Sequence, residues 1–129
     1  MYGFSVTVPG GMDDVADKVT EELKKEGFGV LTEIDVAATL KSKLDIDRRP
    51  YRILGACNPS LASRALDAEP DIGLLLPCNV VVREEDDGSV TVAFMDPEAV
   101  LSLVGSSDIR ELAADVRGRL QRVRDGLVA

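Results

Sequence analysis

Apolar residues alternate with polar ones over Phe4, Val6 and Val8, with Ser5 and Thr7 between them, and the run stops at Pro9-Gly10-Gly11. A period of two is the mark of a half-buried strand. The period then lengthens. Met12, Val15, Ala16, Val19 and Leu23 recur at helical spacing, with Asp13 or Asp14 placed to cap the helix and Gly27 to stop it. Phe28 to Val36 returns to a strand. Its alternation puts Phe28, Val30, Thr32 and Ile34 on one face and Leu31, Glu33 and Asp35 on the other. Ala37 to Leu44 reads as a short helix capped by Asp35, and Asp45 to Pro50 as a polar loop.

Tyr51 to Cys57 is a strand, and Asn58-Pro59 is a strong helix start, since Asn caps well and Pro is preset for the first helical position. Leu61, Ala62, Ala65 and Leu66 mark the buried face of that helix, which ends at Glu69-Pro70. Ile72 to Leu76 is an apolar connection whose type the pattern leaves open. Cys78 to Arg83 and Ser89 to Met95 flank Glu84-Glu-Asp-Asp-Gly88, a hairpin signal because Asp-Gly supplies a positive φ between two β-branched runs. Pro97 to Val104 is a short helix closed by Gly105. From Ser107 to about Leu127 the last helix carries Ile109, Leu112, Val116, Leu120, Val123 and Leu127 in a narrow stripe suited to a sheet or to a second copy, with Asp108 and Glu111 as a capping box. Strands with helices gathered on one face predict an α+β fold with a mostly antiparallel sheet.

The length, 129 residues, sets one domain with one core. With no Trp and 4% aromatic residues, that core rests on Val, Leu, Ile and Ala, and little remains for stacking bases. A net charge of -8 argues against nucleic acid or an anionic membrane as partner, because phosphate binding needs clustered Lys and Arg. The arginines of the last helix (Arg110, Arg117, Arg119, Arg122, Arg124) are interleaved with Asp108, Glu111, Asp115 and Asp125, as on a solvated face. No apolar run is long enough to span a bilayer, and no secretory signal opens the chain, so a small soluble cytoplasmic domain is the expectation.

The chain has no His, which removes His-ligated zinc and haem, the Ser-His-Asp triad and the Cys-His couple. Its two cysteines stand in the same dipeptide, Gly-Ala-Cys57-Asn58-Pro59 and Leu-Leu-Pro77-Cys78-Asn79-Val. If the two strands pair antiparallel, the end of the first lies beside the start of the second, and both Cys-Asn segments meet at one end of the sheet. Each residue also has an ordinary role: Asn58 as a helix cap, the thiols as small buried groups. The spacing is not Cys-x-x-Cys, so no zinc-ribbon or thioredoxin-like site is indicated. Glu33 and Asp35 share a strand face and, with Lys41 and Lys43, form a second candidate polar or metal site.

Three long segments carry a resemblance: Gly27-Phe-Gly-Val-Leu-Thr-Glu-Ile-Asp-Val36, Tyr51-Arg-Ile-Leu-Gly-Ala-Cys-Asn-Pro59 and Glu69-Pro-Asp-Ile-Gly-Leu-Leu-Leu-Pro-Cys-Asn-Val-Val-Val82. Together they resemble the signature segments of the domain-of-unknown-function 302 family. The resemblance implies a small prokaryotic domain with a TATA-binding-protein-like β-α-β4-α arrangement, and it supplies no catalytic mechanism. Fold alone does not imply DNA binding.

Three expectations follow. The first is a homodimeric binding or sensor domain that holds a small ligand, a metal or a sulfur species near Cys57, Asn58, Cys78 and Asn79. The second is an enzyme using Cys57 or Cys78 as nucleophile with Glu33 or Asp35 as acid-base partner. The third is an assembly module that dimerises through the last helix and a free sheet edge.

Overall fold

The computed structural model describes residues 1–129. Five strands, β1 (Gly3–Val8), β2 (Gly29–Asp35), β3 (Tyr51–Cys57), β4 (Cys78–Glu84) and β5 (Val90–Met95), form one sheet in the order β1-β5-β4-β3-β2. Every neighbouring pair is antiparallel. The helices are α1 (Met12–Lys25), α2 (Val36–Leu44), α3 (Pro59–Ala68), α4 (Pro97–Leu101) and α5 (Ser107–Val128). The α+β architecture expected from the periodicity is the one found. No helix is long and apolar enough to cross a membrane.

Inward positions alternate along the strands. Leu54 and Ala56 on β3, Val80 and Val82 on β4, and Val90, Val92 and Phe94 on β5 are all buried. They meet Val15, Val19 and Leu23 of α1, Leu61 and Ala65 of α3, and the whole apolar stripe of α5 in one core. Leu120, Val123 and Leu127 have no exposed surface. The α5 stripe is therefore spent inside the domain, and the expectation that it faces a second copy is corrected. On the opposite sheet face, Ser5 and Asn79 are exposed and Val81, Arg83 and Ala93 are half-buried.

Several local expectations are corrected. Asp13 and Asp14 lie in the first turn of α1 but do not cap it; the cap position is Gly11, which makes no side-chain bond, so the two carboxylates act through the helix dipole. For α5 the cap is Ser106, whose hydroxyl accepts from the Ile109 N–H at 3.5 Å, in place of an Asp108–Glu111 box. The open segment before β4 is a tight helical turn over Pro70–Leu75. On β2 the pairing slips between Val30 and Thr32. Val30 pairs with Ala56 and Glu33 with Leu54, so Val30 shares the face of Glu33 and Asp35, while Thr32 and Ile34 face the other way.

The expected caps Asp35 and Asn58 are in place. The Ala38 N–H donates to Asp35 Oδ1 at 2.9 Å, and the Leu61 N–H donates to Asn58 Oδ1 at 3.3 Å. The Asp-Gly hairpin also forms, with Gly88 at φ 87. The arginines of α5 are partnered: Arg117 with Asp96 at 3.2 Å, Arg119 with Asp115 at 2.9 Å and Arg122 with Glu26 at 2.9 Å. Arg124 lies over the ring of Phe4 at 5.2 Å.

Candidate functional site

β3 and β4 run antiparallel with Ala56 opposite Cys78. Cys57 lies one step beyond Ala56, so the end of one strand and the start of the other bring both thiols to the same end of the sheet. Both are free. They line a pocket of ≈ 350 Å³ walled by α3, by Leu112 and Val116 of α5, by Phe28, Leu31 and Thr32, and by Pro77. Thirteen of its sixteen lining residues are hydrophobic, which sets its chemistry: it suits an apolar surface and offers few polar anchors.

Close backbone packing shapes the pocket wall. A Cβ at Gly55 would collide with Thr32 Oγ1 and stand 2.9 Å from Pro77 Cγ. Only glycine lets the Thr32 side chain and the Pro77 ring, both pocket-lining, close over β3.

The two thiols differ. Cys57 is half-buried, while Cys78 is buried at 7% exposure. Burial pushes the Cys78 thiol up to about 11, and the neighbouring Cys57 adds to the rise. Such a group stays protonated at neutral pH, the reverse of what a nucleophile needs.

Asn58 lines the same pocket, but its carboxamide is occupied at both ends. Its oxygen caps α3, and its Nδ2 donates to the Glu26 carbonyl at 3.3 Å. Arg119 Nη1 donates to that same carbonyl at 3.0 Å. The end of α1, the start of α3 and the middle of α5 are thus joined at one peptide oxygen.

The other expected residues lie elsewhere. Asn79 follows Cys78 directly on β4, so it projects from the opposite face and is exposed. There it lines a separate groove with Met1, Tyr2, Ser5, Val81, Arg83 and Ala93. Glu33 and Asp35 share a face as expected, but they sit opposite Leu54 and Arg52. Leu54 is three residues along β3 from Cys57, roughly 10 Å at strand spacing, and Arg52 is five, roughly 17 Å. Neither carboxylate can serve either thiol as a proton acceptor, which corrects that expectation.

Glu33 pairs with Arg52 at 3.5 Å, Arg52 also pairs with Asp13, and Asp35 is used as a cap. An exposed cleft brings Glu33 and Asp35 near Lys43, whereas Lys41 turns to Asp45 at 2.8 Å and Asp47 at 3.1 Å. No group of three or more His, Cys, Asp or Glu side chains is assembled to hold a metal ion. Sequence reading found the α3 wall of the pocket through its helical spacing. It missed Leu31 and Thr32, because their place depends on the slipped pairing in β2.

The profile of a family described as Domain of unknown function DUF302 matches residues 4–127. A crystal structure of an uncharacterized conserved DUF302 protein from Bacillus stearothermophilus superposes with a TM-score of 0.90 at 34% identity, covering 98% of each chain. An uncharacterized protein of Aquifex aeolicus (strain VF5) is 28% identical over 89 residues, 57% of this chain. That match spans 62% of the Aquifex protein's length.

Proposed function

The chain belongs to the DUF302 family, and from that premise we propose that it is a binding domain for a small apolar molecule held in the pocket beside Cys57 and Cys78. One observation carries the reading: at the end of the sheet, where strand pairing stops, an apolar pocket lies between β3, α3 and α5. Apolar area removed from water supplies the driving force, at about 25 cal/mol per Å². Cys57, half-buried on the wall, is the polarisable group a ligand meets there. Cys78, held protonated, acts as a small apolar surface.

A thiol enzyme is disfavoured by the raised Cys78 and by the distance of Glu33 and Asp35. A metal site is disfavoured because Cys57 and Cys78 have no third ligand beside them.

Alkylation of Cys57 tests the reading. Saturating 1-octanol is expected to slow labelling of Cys57 by iodoacetamide in the native protein and to raise the melting temperature. Ala62→Phe, which fills the pocket from α3, is expected to abolish both effects. Labelling and melting that ignore 1-octanol in the parent protein would sink the reading.

A further inference from the structure

The sheet has two free edges, and they are unlike. β2 slips in register at Leu31, carries Glu33 and Asp35, and holds Arg52 against Glu33. A bulge and charges on an edge strand are what keep it from adding another strand. β1 has neither. Its sequence, Gly-Phe-Ser-Val-Thr-Val, is uncharged and free of proline, and its register with β5 is unbroken from Gly3↔Met95 to Val8↔Val90.

The parity of the β1 hydrogen bonds follows from one contact. The Asp96 N–H donates to the Tyr2 carbonyl at 2.8 Å, one step beyond the Gly3↔Met95 pair. Antiparallel ladders alternate bonded and non-bonded pairs, so Phe4, Val6 and Val8 turn their main-chain groups to β5. Gly3, Ser5 and Thr7 turn theirs to the open edge. The side chains of Ser5 and Thr7 are exposed, so no other element covers that line.

We propose that β1 joins two copies of this chain, antiparallel about a two-fold axis, with Ser5 opposite Ser5 of the second copy and Gly3 opposite its Thr7. This register matches all three free residues with residues of the same parity, each bonded pair exchanging two main-chain hydrogen bonds. A two-fold contact must be self-complementary, and β1 is: the strand carries no charge, small side chains face small side chains, hydroxyls face each other at the axis, and Arg124, which lies over Phe4 beside the seam, is paired with Asp125 at 3.1 Å in its own chain. On the helix side, Phe4 and Val6, both half-buried in the single chain, meet Val6 and Phe4 of the second copy. The result is one continuous sheet from two five-stranded halves, with the blunted β2 edges outermost. The cysteine pocket lies at β3 and β4, away from this seam, so the contact stands or falls separately from ligand binding.

Sedimentation equilibrium tests it. The parent protein is expected at twice the 13.8 kDa chain mass. Ser5→Glu and Ser5→Lys, substitutions at an exposed side chain, each place like charges across the axis and are expected to sediment at the single-chain mass with unchanged circular dichroism. An equimolar mixture of the two is expected to recover the doubled mass, because Glu then faces Lys. Ser5→Pro, which removes an edge N–H that β5 does not use, is expected to give single chains as well. A parent protein that sediments as a single chain, a Glu or Lys variant that keeps the doubled mass, or a mixture that stays at the single-chain mass would each overturn the proposal.

Discussion

The carboxamide of Asn58 donates to the main-chain carbonyl of Glu26 at 3.3 Å, across 32 positions of sequence, while its oxygen caps its own helix at Leu61. A residue that reads as a simple cap is also the tie between α3 and α1. Asn58→Ala removes both contacts and is expected to lower stability by about 1–2 kcal/mol in urea denaturation. Asn58→Asp keeps the cap acceptor and loses the donor, so its smaller loss measures the tie alone. Equal losses in the two variants would mean that the cap contributes nothing.

Gly55 is the point where the pocket wall meets the sheet. Gly55→Ala drives a methyl group into Thr32 Oγ1 and the Pro77 ring. Overpacking of this kind is expected to cost roughly 1–3 kcal/mol. Displacing Thr32 and Pro77 should also change the rate at which Cys57 is alkylated, read by mass spectrometry under native conditions.

The raised Cys78 thiol makes stability fall with alkaline pH. In the unfolded chain the group ionises near its ordinary 9.0, while in the fold it holds its proton to about 11. Its contribution is therefore complete below about pH 9 and is lost progressively as pH rises toward 11, because only the unfolded state sheds the proton in that window. The loss amounts to about 2–3 kcal/mol across the window. The difference in stability between the parent protein and Cys78→Ala, measured from pH 8 to 10.5, should narrow as pH rises. A constant difference would contradict the protonated, buried thiol.

Leu120 lies at the centre of the α5 stripe with no exposed surface. Leu120→Ala is expected to cost about 2–5 kcal/mol by leaving a core cavity. At concentrations where it remains folded, its sedimenting mass should equal that of the parent protein. A mass change without a stability loss would place α5 at an interface instead.

Glu33→Gln separates the acidic cluster from the thiols. It removes an exposed partner of Arg52, expected to be worth less than about 1 kcal/mol, and it should leave the alkylation rate of Cys57 unaltered at every pH. A shifted pH profile for Cys57 would restore the carboxylate as its partner.

The strands, the Asp-Gly hairpin and the Asn58 and Asp35 caps were legible in the sequence because each rests on local chemistry: alternation, a positive φ, a side-chain acceptor three residues before an N–H. The meeting of Cys57 and Cys78 needed only one further step, the antiparallel pairing of the strands that carry them. Asn79 was misplaced although the signal existed, since inside β4 it points away from Cys78, whereas Cys57, one step past the partner of Cys78, still lines the pocket because β3 ends there. The slip at Leu31 had no local signature. It arises from how β2 lies on β3, and it decides which residues of β2 reach the pocket. The α5 stripe was read correctly as apolar, but periodicity does not say whether such a stripe meets its own sheet or another molecule.

One consequence follows from the way α3 is held. Beyond Asn58, no side-chain hydrogen bond or ion pair anchors Pro59–Ala68 to the rest of the chain. The helix is pinned at its start, where Asn58 grips the Glu26 carbonyl, packed along its length by Leu61 and Ala65, and continued at its end into the turn that buries Ile72. The wall that α3 gives the pocket therefore rests on side-chain fit at Leu61 and Ala65, so a change of side-chain size there reshapes the pocket without breaking a single polar contact.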